Sequence, residues 1–193
     1  MTQGTSGIGR IIVVGASAGG VEAITSLASE FPADIDAAVF VVLHLPANAT
    51  SHLPEILSRA GRLKAIHPVG RTTFERGVIY VAPPNRHLVI QDDEVLAVEG
   101  PSEHGHRPAV DPLFRSAAES WGSRVIGVVL TGNLGDGTTG LRAIKSRGGV
   151  ALVQDPGETT FSGMPRSAID HVNVDHVLAL DQMVPTILRL INT

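Results

Sequence analysis

Three aliphatic runs, Arg10–Val14, Val39–Leu43 and Arg124–Leu130, constrain the fold more than anything else in the chain. Behind their leading residues they are apolar at consecutive rather than alternate positions. A strand with that pattern is buried on both faces, as in a parallel sheet covered by helices. Each run stops at a turn: Gly15-Ala16-Ser17-Ala18-Gly19-Gly20, His44-Leu45-Pro46 and Thr131-Gly132-Asn133-Leu134-Gly135-Asp136-Gly137.

Helical segments alternate with the strands. Val21–Ser29 places Val21, Ile24 and Leu27 on one face, and Ser51–Arg59 carries Pro54 in its first turn. Asp111–Trp121 reads as a helix with Asp111 as N-cap and Pro112 in first position. Thr138–Arg147 ends at Gly148-Gly149, Ser167–Asp170 begins a short helix, and Asp181–Ile191 is amphipathic. Further strands are expected at Ala65–Pro68, Val150–Gln154 and Val177–Leu180. The short runs Val78–Ala82, His87–Gln91 and Val95–Val98, separated by turn residues, read as an antiparallel hairpin insertion. The alternation predicts an α/β fold with a doubly wound, mostly parallel sheet. Without linker, repeat or low-complexity tract, one domain over residues 1–193 is the simplest organisation.

Composition excludes several kinds of function. The chain has 43% hydrophobic and 18% charged residues and a formal net charge of -4, so it has no basic footprint for nucleic acid. It has no cysteine, which removes disulfides, thiolate catalysis and Cys-based zinc sites. Met1–Gly9 is small and polar, unlike a signal peptide, and no apolar run approaches the roughly 20 residues of a membrane helix. A cytoplasmic protein without membrane insertion is expected.

In doubly wound folds ligands bind beyond the carboxyl ends of the strands. Three residues with catalytic chemistry fall there. Gly15-Ala16-Ser17-Ala18-Gly19 fits G-x-S-x-G, in which small neighbours let the chain turn sharply and expose the hydroxyl. The Ala18 N–H then lies near a helix N-terminus, aimed at a developing oxyanion. His44 ends the second run, placed to take a proton from a neighbouring serine. Asp136 follows the third, where it can orient an imidazole.

Each signal alone is weak. G-x-S-x-G occurs by chance, a lone histidine is more often structural, and Asp136 alone would more often be a cap or turn residue. A glycine-rich turn after a first strand also opens nucleotide-binding folds. Here Ser17 replaces the second glycine of G-x-G-x-x-G, and His44 stands where a dinucleotide site wants an acidic residue. Glu103-His104-Gly105-His106 looks like a metal cluster but has no further ligand nearby in sequence. His67, His87, His171 and His176 carry no motif, and His52 has only a possible place near a cleft rim.

With these blocks in place the chain resembles the catalytic domain of the CheB-type protein-glutamate methylesterases, from about Ile11 to about Leu180. The resemblance rests on Gly15-Ala16-Ser17-Ala18-Gly19-Gly20, Leu43-His44-Leu45-Pro46, Tyr80-Val81-Ala82-Pro83-Pro84, Arg107-Pro108-Ala109-Val110-Asp111, Leu130-Thr131-Gly132, Gly135-Asp136-Gly137, Gln154-Asp155-Pro156 and Gly163-Met164-Pro165, in order and in register. It implies a three-layer α/β/α fold. It also implies hydrolysis of glutamate γ-methyl esters on methyl-accepting chemoreceptors, with companion deamidation of receptor glutamines. Ser17 matches the family nucleophile, His44 the base and Asp136 the orienting carboxylate, and backbone N–H groups near Ala18 and Asn133 would hold the oxyanion. No cofactor or metal is implied. The partners are chemoreceptor cytoplasmic helices and a separate or fused regulator or methyltransferase.

Two departures stand out. No receiver domain precedes the first strand, so the chain is either free-standing or an excerpt of a longer protein. The family typically reads T-G-M-G-x-D-G where this chain has Asn133-Leu134, and a leucine in place of glycine alters the turn's backbone freedom. That change keeps a rival in view: a catalytically impaired binding or scaffold module of the same fold.

Overall fold

The computed structural model describes residues 7–46 and 48–193. The reading of the N-terminal segment therefore lies, for residues 1–6, outside the described residues, as does Ala47 of the stretch before His52. The elements run β1 (Arg10–Ala16), α1 (Gly20–Glu30), β2 (Ala37–Leu43), α2 (Leu53–Ala60), β3 (Lys64–Ile66), β4 (Arg71–Thr73), β5 (Val78–Val81), β6 (His87–Gln91), β7 (Glu94–Val98), α3 (Val110–Trp121), β8 (Val125–Val129), α4 (Thr138–Ser146), β9 (Val150–Gln154), α5 (Gly163–His171), β10 (His176–Leu178) and α6 (Leu180–Ile191).

Seven strands form one parallel sheet in the order β10-β9-β8-β1-β2-β5-β3. The consecutive apolar pattern has the expected cause. Along β1, Ile11 and Val13 enter a core with α3, α4 and α5, while Ile12 and Val14 enter one with α1, α2 and α6. β2 divides likewise, Phe40 and Val42 to one side, Val39 and Val41 to the other. Three layers result.

The insertion differs from the sequence reading. Val78–Val81 is not part of it: β5 lies in the main sheet, parallel to β2 and β3. The small antiparallel sheet is instead β4-β7-β6, with β4 an added strand. Its apolar face (Leu88, Ile90, Val95) packs with α3, and Trp121 Nε1 donates to Asp92 O at 2.7 Å. Asp111 is not the N-cap of α3. Ala109 holds that position, and Asp111 lies inside the first turn. α5 begins four residues before Ser167, at Gly163.

The chain winds outward from β1 to β2 and on to β3 at the edge, fills the gap between them with β5, then crosses to β8 on the other side of β1. The loops after β1 and β8 therefore diverge from a common point, which opens a crevice at the carboxyl edge.

Candidate active site at the carboxyl edge of the sheet

β1 and β2 run in register, Ala16 beside Leu43, so the next residues, Ser17 and His44, leave the sheet side by side. The His44 N–H donates to Ala16 O at 3.2 Å and the Ser17 N–H to Thr131 O at 2.9 Å. The turns after β1, β2 and β8 are thereby stitched together. Thr131 tightens the stitch: its hydroxyl lies 2.9 Å from Ala18 O, and its N–H donates to the side chain of buried Gln154 at 2.9 Å.

Asp136 is the most constrained group in the region. It is 1% exposed. Its Oδ2 accepts from His44 Nε2 at 2.7 Å and from the Val110 N–H at 2.6 Å, and Oδ1 accepts from the Asp111 N–H at 3.0 Å. Burial pushes its carboxyl pKa up. The bond from His44 and the two N–H groups outweigh burial and hold it below the ordinary carboxylate value. The first turn of α3 thus serves as an anion site for Asp136.

With Nε2 committed to Asp136, His44 Nδ1 is buried and has no hydrogen-bond partner among the described residues. The ring is fixed on its face by His106, whose imidazole stacks on it with centroids 3.7 Å apart and planes 9° from parallel. Burial, then the proximity of His44, lowers the pKa of His106, which favours its neutral form.

His106 belongs to the run Glu103-His104-Gly105-His106, and its side chains diverge. Glu103 forms a two-point ion pair with Arg115, His104 Nε2 meets Asp111 Oδ2 at 2.9 Å, and His106 lies on His44. The backbone is a tight turn in which Glu103 and His106 exchange N–H···O bonds and both central residues have positive φ. His104, Asp111 and Asp136 place potential ligand atoms within 4.8 Å of one another. The Asp136 oxygens and Asp111 Oδ1 already face N–H hydrogens, an arrangement suited to anions rather than to a cation.

A cleft of about 550 Å³ opens over these groups, lined by Ser17, Ala18, His44, Leu45, Pro46, Asn85, Ser102, Gly105, His106 and Arg107. Arg107 is held by Asn85 Oδ1, at 2.9 and 2.6 Å, and by Gly100 O. The expected residues thus fall unevenly. His44 and Asp136 are bonded, and Ser17 and Ala18 share the cleft with His44. The Ser17 hydroxyl makes no hydrogen bond to His44, whose Nδ1 is unpartnered. Asn133 is exposed and does not line the cleft. His52 does not line it either, and His87 is a satisfied core histidine, bonded to Pro101 O and to the Ala109 N–H. The sequence reading missed His106 as a cleft residue. The signal was His104-Gly105, a pair able to form the hairpin turn that brings His106 over His44.

A serine, an imidazole and a buried carboxylate at the carboxyl edge of a parallel sheet place the protein among α/β folds suited to acyl transfer from esters. Residues 12–187 match the family model described as CheB methylesterase. A putative protein-glutamate methylesterase/protein-glutamine glutaminase of Leptospira interrogans is 37% identical over 180 residues, covering 93% of each chain. The protein-glutamate methylesterase/protein-glutamine glutaminase of Methanosarcina barkeri is 34% identical over 196 residues, 97% of this chain and 54% of the relative. The crystal structure of the Thermotoga maritima CheB methylesterase catalytic domain superposes with a TM-score of 0.89 at 30% identity, covering 94% of this chain and 98% of that one. The chain belongs to the CheB methylesterase family. It spans nearly all of the Leptospira relative and about half of the Methanosarcina one. Among the described residues no helix is long and apolar enough to cross a membrane.

Proposed function

We propose that the chain hydrolyses γ-methyl esters of glutamate side chains on the cytoplasmic helices of methyl-accepting chemoreceptors, releasing methanol. Ser17 is the nucleophile, His44 the general base and Asp136 the orienting carboxylate. The observation that carries this reading is the 2.7 Å bond from His44 Nε2 to Asp136, with the other ring nitrogen unpartnered beside the serine turn. An imidazole held at one nitrogen by an ionised carboxylate is oriented to accept a proton at the other.

In the first step Ser17 Oγ attacks the ester carbonyl as His44 takes its proton. The backbone N–H of Ala18, which lines the cleft, stabilises the oxyanion, and the second donor, an N–H near Asn133, would have to turn toward the cleft to join it. Collapse of the tetrahedral adduct breaks the bond to the methoxy oxygen, which leaves as methanol with the proton from His44. Water then attacks the acyl-serine, giving its proton to His44 and on to Ser17 as the glutamate carboxylate departs. The same steps with a carboxamide release ammonia, which supports receptor glutamine deamidation as a companion activity. The missing Ser17–His44 bond is compatible with this reading, since catalytic hydrogen bonds often tighten only when substrate is bound. No step calls for a metal or organic cofactor. The protein would work in the cytoplasm, under a separate or fused regulator or methyltransferase.

Methanol release from a methylated receptor fragment tests the reading. Ser17→Ala should lower turnover by at least about 10³-fold with the fold intact. Undiminished release would remove Ser17 from the mechanism. Labelling by a fluorophosphonate separates the hydrolase from a scaffold of the same fold, because an unactivated serine stays unlabelled.

A further inference from the structure

Among the described residues four non-glycines adopt positive φ: Asn85 (60°), Asp92 (53°), His104 (50°) and Leu134 (65°). Asparagine, aspartate and histidine enter this region comparatively easily; leucine does not. Leu134 is in addition 70% exposed. Its surroundings enforce the conformation. The Gly132 N–H donates to Phe161 O at 2.8 Å and the Met164 N–H to Gly132 O at 2.9 Å, while Asp136 is gripped two residues later. A β-carbon on Gly163 would stand 2.8 Å from the Leu134 nitrogen. A disfavoured backbone, kept in place by rigid neighbours and presenting an apolar side chain to water, points to use at a site.

A second exposed apolar side chain stands on the loop stitched to it. Phe161 is 39% exposed, and its ring Cδ2 lies 3.4 Å from where a β-carbon on Gly19 would sit, two residues after Ser17. The sheet order puts these loops, after β8 and β9, on one side of Ser17. The polar wall comes from elsewhere: Asn85 follows β5 on the other side of Ser17, and His106 and Arg107 lie on the segment joining β7 of the small sheet to α3. Arg166, on the first turn of α5 and bonded to the residue after Phe161, is exposed. It donates to Ser162 Oγ at 3.1 Å and has no carboxylate partner among the described residues.

We propose that Leu134 and Phe161, with Arg166 beside them, form a lip that selects the protein substrate. An apolar side chain of the receptor helix packs on Leu134 and Phe161 while the neighbouring esterified glutamate enters the cleft. Arg166 faces the acidic character that such a helix acquires wherever its esters have already been hydrolysed. This inference rests on the hydrolase reading and adds what the substrate must carry: an apolar residue adjacent to the ester on an acidic helical surface.

The test compares a methylated receptor fragment with a small glutamate γ-methyl ester. Leu134→Asn removes the apolar group yet suits the left-handed backbone. It should lower the ratio of kcat/KM for the fragment to kcat/KM for the small ester by about ten-fold, mainly through KM, as expected for loss of an apolar contact. Leu134→Met should restore most of the ratio. An unchanged ratio in Leu134→Asn overturns the lip. Methanol release from neither ester overturns the hydrolase reading instead. In that case binding of the same fragment to Ser17→Ala and to Ser17→Ala/Leu134→Asn still decides the lip: about ten-fold weaker binding to the double variant upholds it, and equal affinity overturns it.

Discussion

Asp136 receives three hydrogen bonds and is 1% exposed, whereas Ser17, on the other flank of His44, is half-buried and turns toward an open cleft. Folding alone fixes the carboxylate. Its donors come from the first turn of α3 and from His44, and a face-to-face stack with His106 holds the imidazole plane. The serine's backbone is pinned to Thr131 O, but its hydroxyl has yet to meet His44. On the mechanism proposed above, the difference separates two tasks: the acid–base pair is organised before substrate arrives, and the nucleophile would complete its contact when the ester occupies the cleft.

The largest expected effect comes from breaking the organised side. Asp136→Asn keeps the shape but removes the charge and turns an N–H₂ toward at least one existing donor. Methanol release should fall by roughly 10⁴-fold. The folded state should also lose about 2–3 kcal/mol at pH 7, the scale of hydrogen bonds to a charged group. The folded pKa of Asp136 is depressed, so its stabilising contribution is present above the ordinary aspartate value of about 3.9 and is lost as pH falls through the lower folded value. Denaturant titrations of both proteins from pH 7 downward should therefore converge below about pH 4. A stability gap independent of pH would show that the anion itself is not what α3 and His44 hold.

A smaller effect is expected at the seam between the two sides. Gly132 joins the loops after β8 and β9, and a β-carbon there would lie 2.3 Å from Met164 Sδ and 2.8 Å from Ser17 Cβ. Gly132→Ala should destabilise by about 1–3 kcal/mol through overpacking and lower turnover by displacing Ser17. Shortening Met164 to alanine in the same chain removes one of the two clashes, and activity should stay low because the contact with Ser17 persists. Full recovery of activity in that double variant would mean that the serine turn yields more readily than the stitching bonds imply.

How much of this could be read from residues follows the same division. β1, β2 and β8 are legible because burial on both faces leaves an unmistakable run of aliphatic side chains, and Ser17, His44 and Asp136 stand out as candidates because they lie in the turns that follow those runs. β5 is harder: Val78–Val81 has only four residues, and its partners on β2 lie 40 positions earlier (Val39 with Ile79), so nothing local distinguishes it from the insertion that follows. β4 is Arg71-Thr72-Thr73, mostly exposed and polar, and its pairing with β7 leaves no hydrophobic signature. Asp111 looked like a helix cap because aspartate before proline usually is one. Its carboxylate instead reaches the Gly140 N–H at 2.6 Å and His104, and burial raises its pKa. These partners lie on other elements, beyond what spacing reveals.

The smallest effect concerns the side left open. Leu134 holds a left-handed backbone, which disfavours an L-residue by about 1–2 kcal/mol. Glycine would remove that strain but admit more freedom to the unfolded chain, a loss of roughly 0.5–1 kcal/mol. Because Leu134 is 70% exposed, little buried contact is forfeited. Leu134→Gly should therefore stabilise the fold by about 0.5–1 kcal/mol, read as a higher urea midpoint with an unchanged slope. A lower midpoint would mean that the leucine side chain contributes packing to the folded protein, and its left-handed, exposed position would then have a structural cause rather than one tied to substrate.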